Sequence, residues 1–594
     1  MKERIRIILI ALLCAASLPA FVLSMYAARH EEAWNPSPVQ VCLEQGEGFV
    51  ARAYIQQVES AGEAVFQLRL QENYEIVACS YPDYAITASP DGFTLLTLRN
   101  VRYPQRITVR CQIPTSVISY DPNGGSFAAS GSAEPLRVAY GPSVHLRVNT
   151  VSGAERIIRD DYVLTGWNTA PDGSGQHIGL GSRVTAEKNQ EMTLYAEWAR
   201  ETPLDHFTWA ETADGVALTA YLGAGGASLV LPDDIGGRPV TEISAGFASD
   251  ITLEQLVIPD TVLRIAEGAF RDCAIGHIFF SDTLQQVSDA AFPGSRPRYW
   301  HINAVIAPRY QSISDIATFA DKMDLLLLHQ DERKLLLFSG CSMSFGMDSQ
   351  LLADACPDYT VLNLGAVGGT NAQFQFECIL PYIRSGDVLI HAPEQASPYQ
   401  LMSKISCGNR IFIAVEGNFD LLAQVDMTTL GEGAFDCFYA FNNKRMAMEP
   451  CTYEDQMIPL NAYGDNAEVR AGANKTRFDE EYGLLTELIT ADGLDRLAGY
   501  YDRIRAAGGE VYLSYAPINS LCCGDAGQIA DFAARWEQGM QARGYETISD
   551  LNDYVMDAKY FYDADYHLTS SGAEIRARML TRDLLRKLPG ASAE

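Results

Sequence analysis

Positive charge is what this chain has least of. Its 594 residues carry 45 Lys and Arg against 75 Asp and Glu, a net charge of −30. A surface that acidic repels phosphate backbones, which excludes nucleic acid as the main partner. Histidine is scarce too, with nine residues, so imidazole chemistry can come from few positions. The thirteen cysteines include no CxxC pair and no zinc-site spacing. Scattered over so long a chain they do not form a disulfide scaffold, although Cys42 could bridge to Cys79 or Cys111. Neither GxGxxG nor a P-loop occurs, no metal cluster is visible, and no cofactor is expected. A hydrophobic share of 47% with 20% charged residues excludes a mostly disordered chain. The length calls for three or four domains.

Long apolar runs are missing except at the start. Lys2, Arg4 and Arg6 precede an uncharged stretch from Ile7 to Met25, which as a helix spans roughly 28 Å, close to a bilayer core. Residues 1–30 therefore read as a signal peptide or a membrane anchor. The best cleavage pattern, around Ser24, is poor, which favours the anchor, with the remainder of the chain outside the cell. Residues 31–113 hold short alternating runs, Val50–Tyr54 and Val65–Leu70, separated by turn clusters such as Ser89–Gly92. That is the pattern of a small all-β, sandwich-like domain.

Residues 114–202 open on a tight turn at Asp121–Gly125, continue through Gly166, Trp167 and Asn168 and then Asp172–Gly175, and close on Leu194–Trp198. The segment resembles the Listeria–Bacteroides repeat, the internalin-B-type, β-grasp-like module of bacterial surface proteins. Trp167 and Trp198 are expected as core anchors, with glycines at positive-φ turns. Residues 203–310 contain an internal repeat. Phe247, Phe270 and Phe292 close similar hexads about every 22 residues, with Leu256–Pro259 and Ile278–Leu284 between them. This resembles the leucine-rich repeats of bacterial surface antigens, which implies a short solenoid with one strand per repeat, serving as a spacer or modest binding module.

Residues 311–332 read as a linker, and 333–594 as an α/β domain. The runs Lys334–Phe338, Thr360–Leu364, Asp387–His391 and Glu510–Tyr515 alternate with helix-length segments, as in a buried parallel sheet. Polar clusters follow these runs, at the strand ends where such sheets bind ligands. Gly340-Cys341-Ser342 follows the first, with Gly346 and Asp348 close behind. Asn363, Gly365, Gly368 and Asn371 follow the second, and His391, Glu394 and Gln395 the third. Asp563, Asp565 and His567 stand near the C-terminus, before a final helix at Ile575–Leu588.

Those blocks, in that order, resemble the SGNH (GDSL-type) hydrolase superfamily of flavodoxin-like esterases. The resemblance implies Ser342 as nucleophile, His567 as general base, and Asp563 or Asp565 orienting it. It also implies an oxyanion hole from the N–H groups of Ser342 and Gly368. Three departures stand out. Cys341 replaces the family's first-block Asp. Ala564 occupies the usual acid position three residues before the histidine. The third-block asparagine is absent; Gln395 could supply an amide from a similar place. Loss of one oxyanion donor costs roughly 2.7–4 kcal/mol in the transition state. Asn371, His391 and Glu394 are candidate substrate contacts, although His391 could equally be a packed core residue and Glu394 a helix cap. Asp465 also resembles a recurring family position without an assigned role.

The chain thus reads as multidomain: N-terminal β modules, a short leucine-rich solenoid, and a C-terminal flavodoxin-like domain. The expected activity is an extracellular serine esterase acting on an acylated glycan or cell-wall polymer, held at the membrane by its N-terminal segment. An O-acyltransferase of the same fold, or an adhesion protein with a decayed hydrolase domain, are the alternatives.

Overall fold

The computed structural model describes residues 38–588 except 72–73, 90–91, 128–135, 140–145, 148–156, 185–189, 307, 310–313, 367–369, 403–407, 431–432, 451–459, 473–482 and 564–565. The expected leader lies outside the described residues. Among those described, no helix is long and apolar enough to cross a membrane. The chain divides into an N-terminal unit, Met1–Ser116 with the short segments Arg137–Pro142 and Glu187–Gln190, and a second unit holding the rest.

In the N-terminal unit the described elements are all strands. Val39–Leu43 pairs with Ile55–Val58 and Gln105–Ile107. Phe49–Ala51, Gly62–Leu70, Thr94–Val101 and Tyr84–Ala88 form an antiparallel sheet in that order. Along Gly62–Leu70 the side chains of Ala64, Phe66 and Leu68 are fully buried and their neighbours are not, the period-two pattern of a strand with one face in a core. Both sheets contribute to that core. Cys42, Cys79 and Cys111, candidates for a bridge, are free thiols. The strand registers set them opposite Ile55, Val109 and Ile76, so no cysteine faces another.

The second unit begins with Val117–Asp121, parallel to Glu191–Tyr195, while Tyr162–Asn168 runs antiparallel to Glu191–Arg200. Trp167 is fully buried. Trp198 is only partly buried and donates its indole N–H to the Pro122 carbonyl, clamping the turn at Asn123 and Gly124, both at positive φ.

The strands Gly226–Val230, Thr252–Val257, Ala274–Ser281 and Tyr299–Asn303 then stack in parallel, with Leu229, Leu256, Ile278 and Trp300 in line. Phe247, Phe270 and Phe292 form a ladder of rings 5.5 and 5.1 Å apart. Each fully buried ring is worth about 1.5–3 kcal/mol of transfer free energy. The ladder does not stop at the last repeat: Phe292 stacks on Phe435 at 4.4 Å. Buried ion pairs also join the stack to the α/β region: Arg445 bonds Asp282 at 3.0 Å and Glu416 at 2.6 Å. From the preceding segment, Arg183 bonds Asp321 at 2.5 Å. The repeat stack therefore shares one apolar core with the α/β region; within this unit it is not a detached spacer.

The α/β region opens with helix α1, Ser314–Leu328. This stretch is expected as a linker, but every residue from Thr318 to Leu326 is buried, the charged Asp321, Lys322 and Asp324 among them. Four parallel strands follow: β1 (Lys334–Phe338), β2 (Thr360–Asn363), β3 (Val388–His391) and β4 (Glu510–Leu513), in the spatial order β2-β1-β3-β4. Every residue of β1 and β3 is buried, which is why these strands read as continuous apolar runs. Beyond β4 a single parallel bridge joins Leu513 to Thr547. Helices α2 (Cys341–Ser344), α3 (Ser349–Ala355) and α4 (Ala372–Ile379) follow the first strands, and α5 (Ser570–Leu585) closes the chain against α3.

Candidate active site

The turn after β1 carries Ser342. Its side chain is wholly buried, and its Oγ lies 3.2 Å from Ser339 Oγ. Ser339 donates its one hydroxyl proton to the Ala392 carbonyl at 2.5 Å, so Ser342 must be the donor between the two hydroxyls. The Ser342 backbone N–H, the expected oxyanion donor, is also engaged: it donates to Glu394 Oε1 at 2.8 Å. The Cys341 thiol donates to the same oxygen at 3.2 Å. Gly340 makes room for this carboxylate, because a Cβ there would sit 2.5–2.6 Å from it.

Side chains from distant elements hold the turn. Arg576 of α5, fully buried, donates from Nη1 to the carbonyls of Ser342 at 2.6 Å and Gly346 at 3.3 Å. Burial pulls its pKa down to about 10, against the opposing pull of Tyr554 and Glu394. Lys322 of α1 donates to Ser344 Oγ at 3.1 Å and the Gly365 carbonyl at 2.6 Å. Its burial lowers its pKa to about 7, opposed by Asp465 and Asp321. Asn363 Nδ2 donates to the Met343 carbonyl at 2.9 Å and to Asp465 at 2.7 Å. Asp465 also accepts from the N–H and hydroxyl of Ser349. It is therefore the buried anchor that ties the second block to the first.

His567 pairs with Asp563, Nδ1 to Oδ1, at 2.8 Å. That hydrogen bond holds the Asp563 carboxyl below its ordinary range despite partial burial. The imidazole lies 4.3 Å from the Phe345 ring, three residues past Ser342. Arg470 fastens the two turns together by donating to the Phe345 and Leu568 carbonyls, both at 2.8 Å. The turns carrying Ser342 and His567 are thus adjacent, but no hydrogen bond joins Ser342 Oγ to His567; each has its own partner.

No protein-family model, curated protein or solved structure matches this chain. The site therefore rests on its geometry alone.

The other expected residues have different outcomes. Gly368 and Asp565 lie outside the described residues. Gln395 does not offer its amide to the site: Nε2 donates to the Ala516 carbonyl at 2.7 Å. His391 is enclosed in the core, bonded to the Tyr501 hydroxyl at 2.6 Å and flanked by the rings of Phe338 and Phe376. Burial drives its pKa down to about 3, so it is neutral at any ordinary pH, and it reaches no open surface. Asn371 caps α4, accepting from the Gln373 N–H at 2.8 Å, while its own amide nitrogen is buried without a partner. Among the described residues no three His, Cys, Asp or Glu side chains converge as a metal site requires.

Sequence reasoning missed Lys322, Ser339, Arg470 and Arg576. Only Arg576 left a visible trace, an arginine on the apolar face of a terminal helix. Serine, lysine and arginine elsewhere in the chain look the same when exposed.

Proposed function

We propose that the C-terminal region is a flavodoxin-like SGNH-type serine hydrolase domain, acting on acyl esters of an extracellular or cell-wall glycan. The His567–Asp563 pair, set against Phe345 on the turn that carries Ser342, is the observation that carries this reading. The strand order β2-β1-β3-β4, with all these groups beyond the strands' carboxyl ends, supports the same reading. The parallel stack of repeats is taken as a leucine-rich solenoid that presents the catalytic region outside the cell, with residues 1–30 as its signal or anchor.

In this mechanism Ser342 rotates from Ser339 towards His567. Its Oγ bonds to the ester carbonyl carbon as the proton passes to His567 Nε2, and Asp563 steadies the imidazolium. The departing alcohol takes that proton. Water, or a sugar hydroxyl in a transferase, then releases the acyl group by the same steps in reverse. A second reading, a surface binding protein on a decayed hydrolase domain, is favoured by one observation: the Glu394 carboxylate already sits on the Ser342 N–H.

The test is hydrolysis of p-nitrophenyl acetate by the full-length protein. Ser342→Ala is expected to lower turnover at least about 10³-fold while leaving thermal unfolding unchanged. Equal turnover by that variant would refute the assignment, and no turnover by the parent together with no covalent label at Ser342 from a fluorophosphonate probe would favour the binding reading.

A further inference from the structure

Two features around Ser342 make sense together and not apart. The first is Glu394. Its oxygen accepts the Ser342 N–H at 2.8 Å, and a serine hydrolase needs that N–H for the oxyanion that forms on the substrate. A carboxylate and an oxyanion cannot share one donor in a buried site, because like charges at contact distance exclude each other. The second is Arg576. It is fully buried, and only Nη1 is used, on the Ser342 and Gly346 carbonyls. Its Nε and Nη2 have no hydrogen-bond partner. A buried guanidinium with two unused nitrogens is costly unless an anion offsets its charge. Here Glu394 is the carboxylate whose charge bears on it. Gly340 is the space in which that carboxylate fits.

We propose that Glu394 is a built-in occupant of the oxyanion site, holding the Ser342 N–H in the resting protein until the acyl oxygen of a substrate replaces it, with Arg576 as the standing positive charge behind either anion. This rests on the reading of Ser342 as nucleophile. Glu394 makes and breaks no covalent bond; it withdraws as a carboxylate. The electron pair of the ester C=O moves onto oxygen as the Ser342 Oγ–C bond forms, and the new anion takes over the vacated N–H. Arg576 acts through the turn it grips, by its bonds to the Ser342 and Gly346 carbonyls. The resting protein is therefore slow towards small, weakly bound esters and fast only with a substrate whose remaining contacts can displace the carboxylate.

The experiment is the rate of covalent labelling by a fluorophosphonate probe, with the adduct located by peptide mass spectrometry, in the full-length protein. The Ser342 Oγ–P bond forms, fluoride leaves and the proton goes to His567. Glu394→Ala is expected to label Ser342 at least about tenfold faster than the parent, a fraction of the 10²–10³ that one oxyanion donor is worth. Glu394→Gln, which keeps the shape and removes the charge, is expected to fall between the two. If Glu394→Ala does not fold, Glu394→Gln alone decides, and must still exceed the parent. Label on the parent at Ser342 that neither variant accelerates overturns this inference and leaves the nucleophile standing. No label at Ser342 in any of the three overturns both.

Discussion

The turn bearing Ser342 and the turn bearing His567 are held in opposite ways. Ser342 sits among buried polar groups contributed by α1, β2, the 461–466 segment, α5 and the loop after β3, and its own side chain is completely enclosed. The His567 imidazole is held by a carboxylate four residues away, half exposed, and by one aromatic ring, while its turn is fastened to the Ser342 turn by Arg470. The difference teaches where each contribution comes from. The position of Ser342 is a product of the whole α/β core, so removing a support there is expected to cost stability. The orientation of the His567 ring is set by Asp563 and Phe345, so in the proposed mechanism removing Asp563 is expected to cost activity and little else.

Three substitutions sharpen or break that contrast. Asp563→Asn removes the charge that orients and stabilises His567. Turnover is expected to fall by about 10³–10⁴-fold, with stability changed by less than about 1 kcal/mol because the pair is half exposed; steady-state kinetics beside thermal melts would check both. Asp465→Ala takes four hydrogen bonds from a buried carboxylate and removes one of the two carboxylates whose charge bears on Lys322. Lys322 keeps Asp321 as a counter-charge, so the loss of those hydrogen bonds is the main cost, and stability is expected to fall by roughly 3–5 kcal/mol, seen in denaturant titration. Equal stability losses at Asp563 and Asp465 would dissolve the contrast.

The third effect is smaller and depends on pH. Lys322 has a folded pKa of about 7 against an ordinary 10.5, so between those values the unfolded chain binds the extra proton. Stability contributed by this group is therefore expected to rise with pH across that window. In Lys322→Met the slope of unfolding free energy against pH from about 7 to 10 should be flatter than in the parent. An unchanged slope would remove Lys322 from the account.

The sequence made the strands legible because buried parallel strands are contiguous apolar runs: Lys334–Phe338 was read with the same bounds that β1 has, and β2 to β4 fell within a residue or two. The ladder positions Phe247, Phe270 and Phe292 were legible as a repeat. That an acid just before His567 pairs with it was implied by the family resemblance, with Asp563 and Asp565 both open; the bond to Asp563 comes from the structure. The hydrogen bonds between Glu394 and Ser342, and between Arg576 and Ser342, span 52 and 234 residues, and no local pattern encodes such a contact. Residues 311–332 passed for a linker because the charges of α1 mask its apolar residues; Lys322 and Asp321 are buried, which composition cannot reveal.

The most direct test of the central claim is to quench the full-length protein during p-nitrophenyl acetate turnover and locate the acetyl group by peptide mass spectrometry. Acetyl on Ser342 is predicted, absent in Ser342→Ala and accumulating more slowly in Asp563→Asn. Acetyl on another side chain, or turnover with none on Ser342, would contradict it.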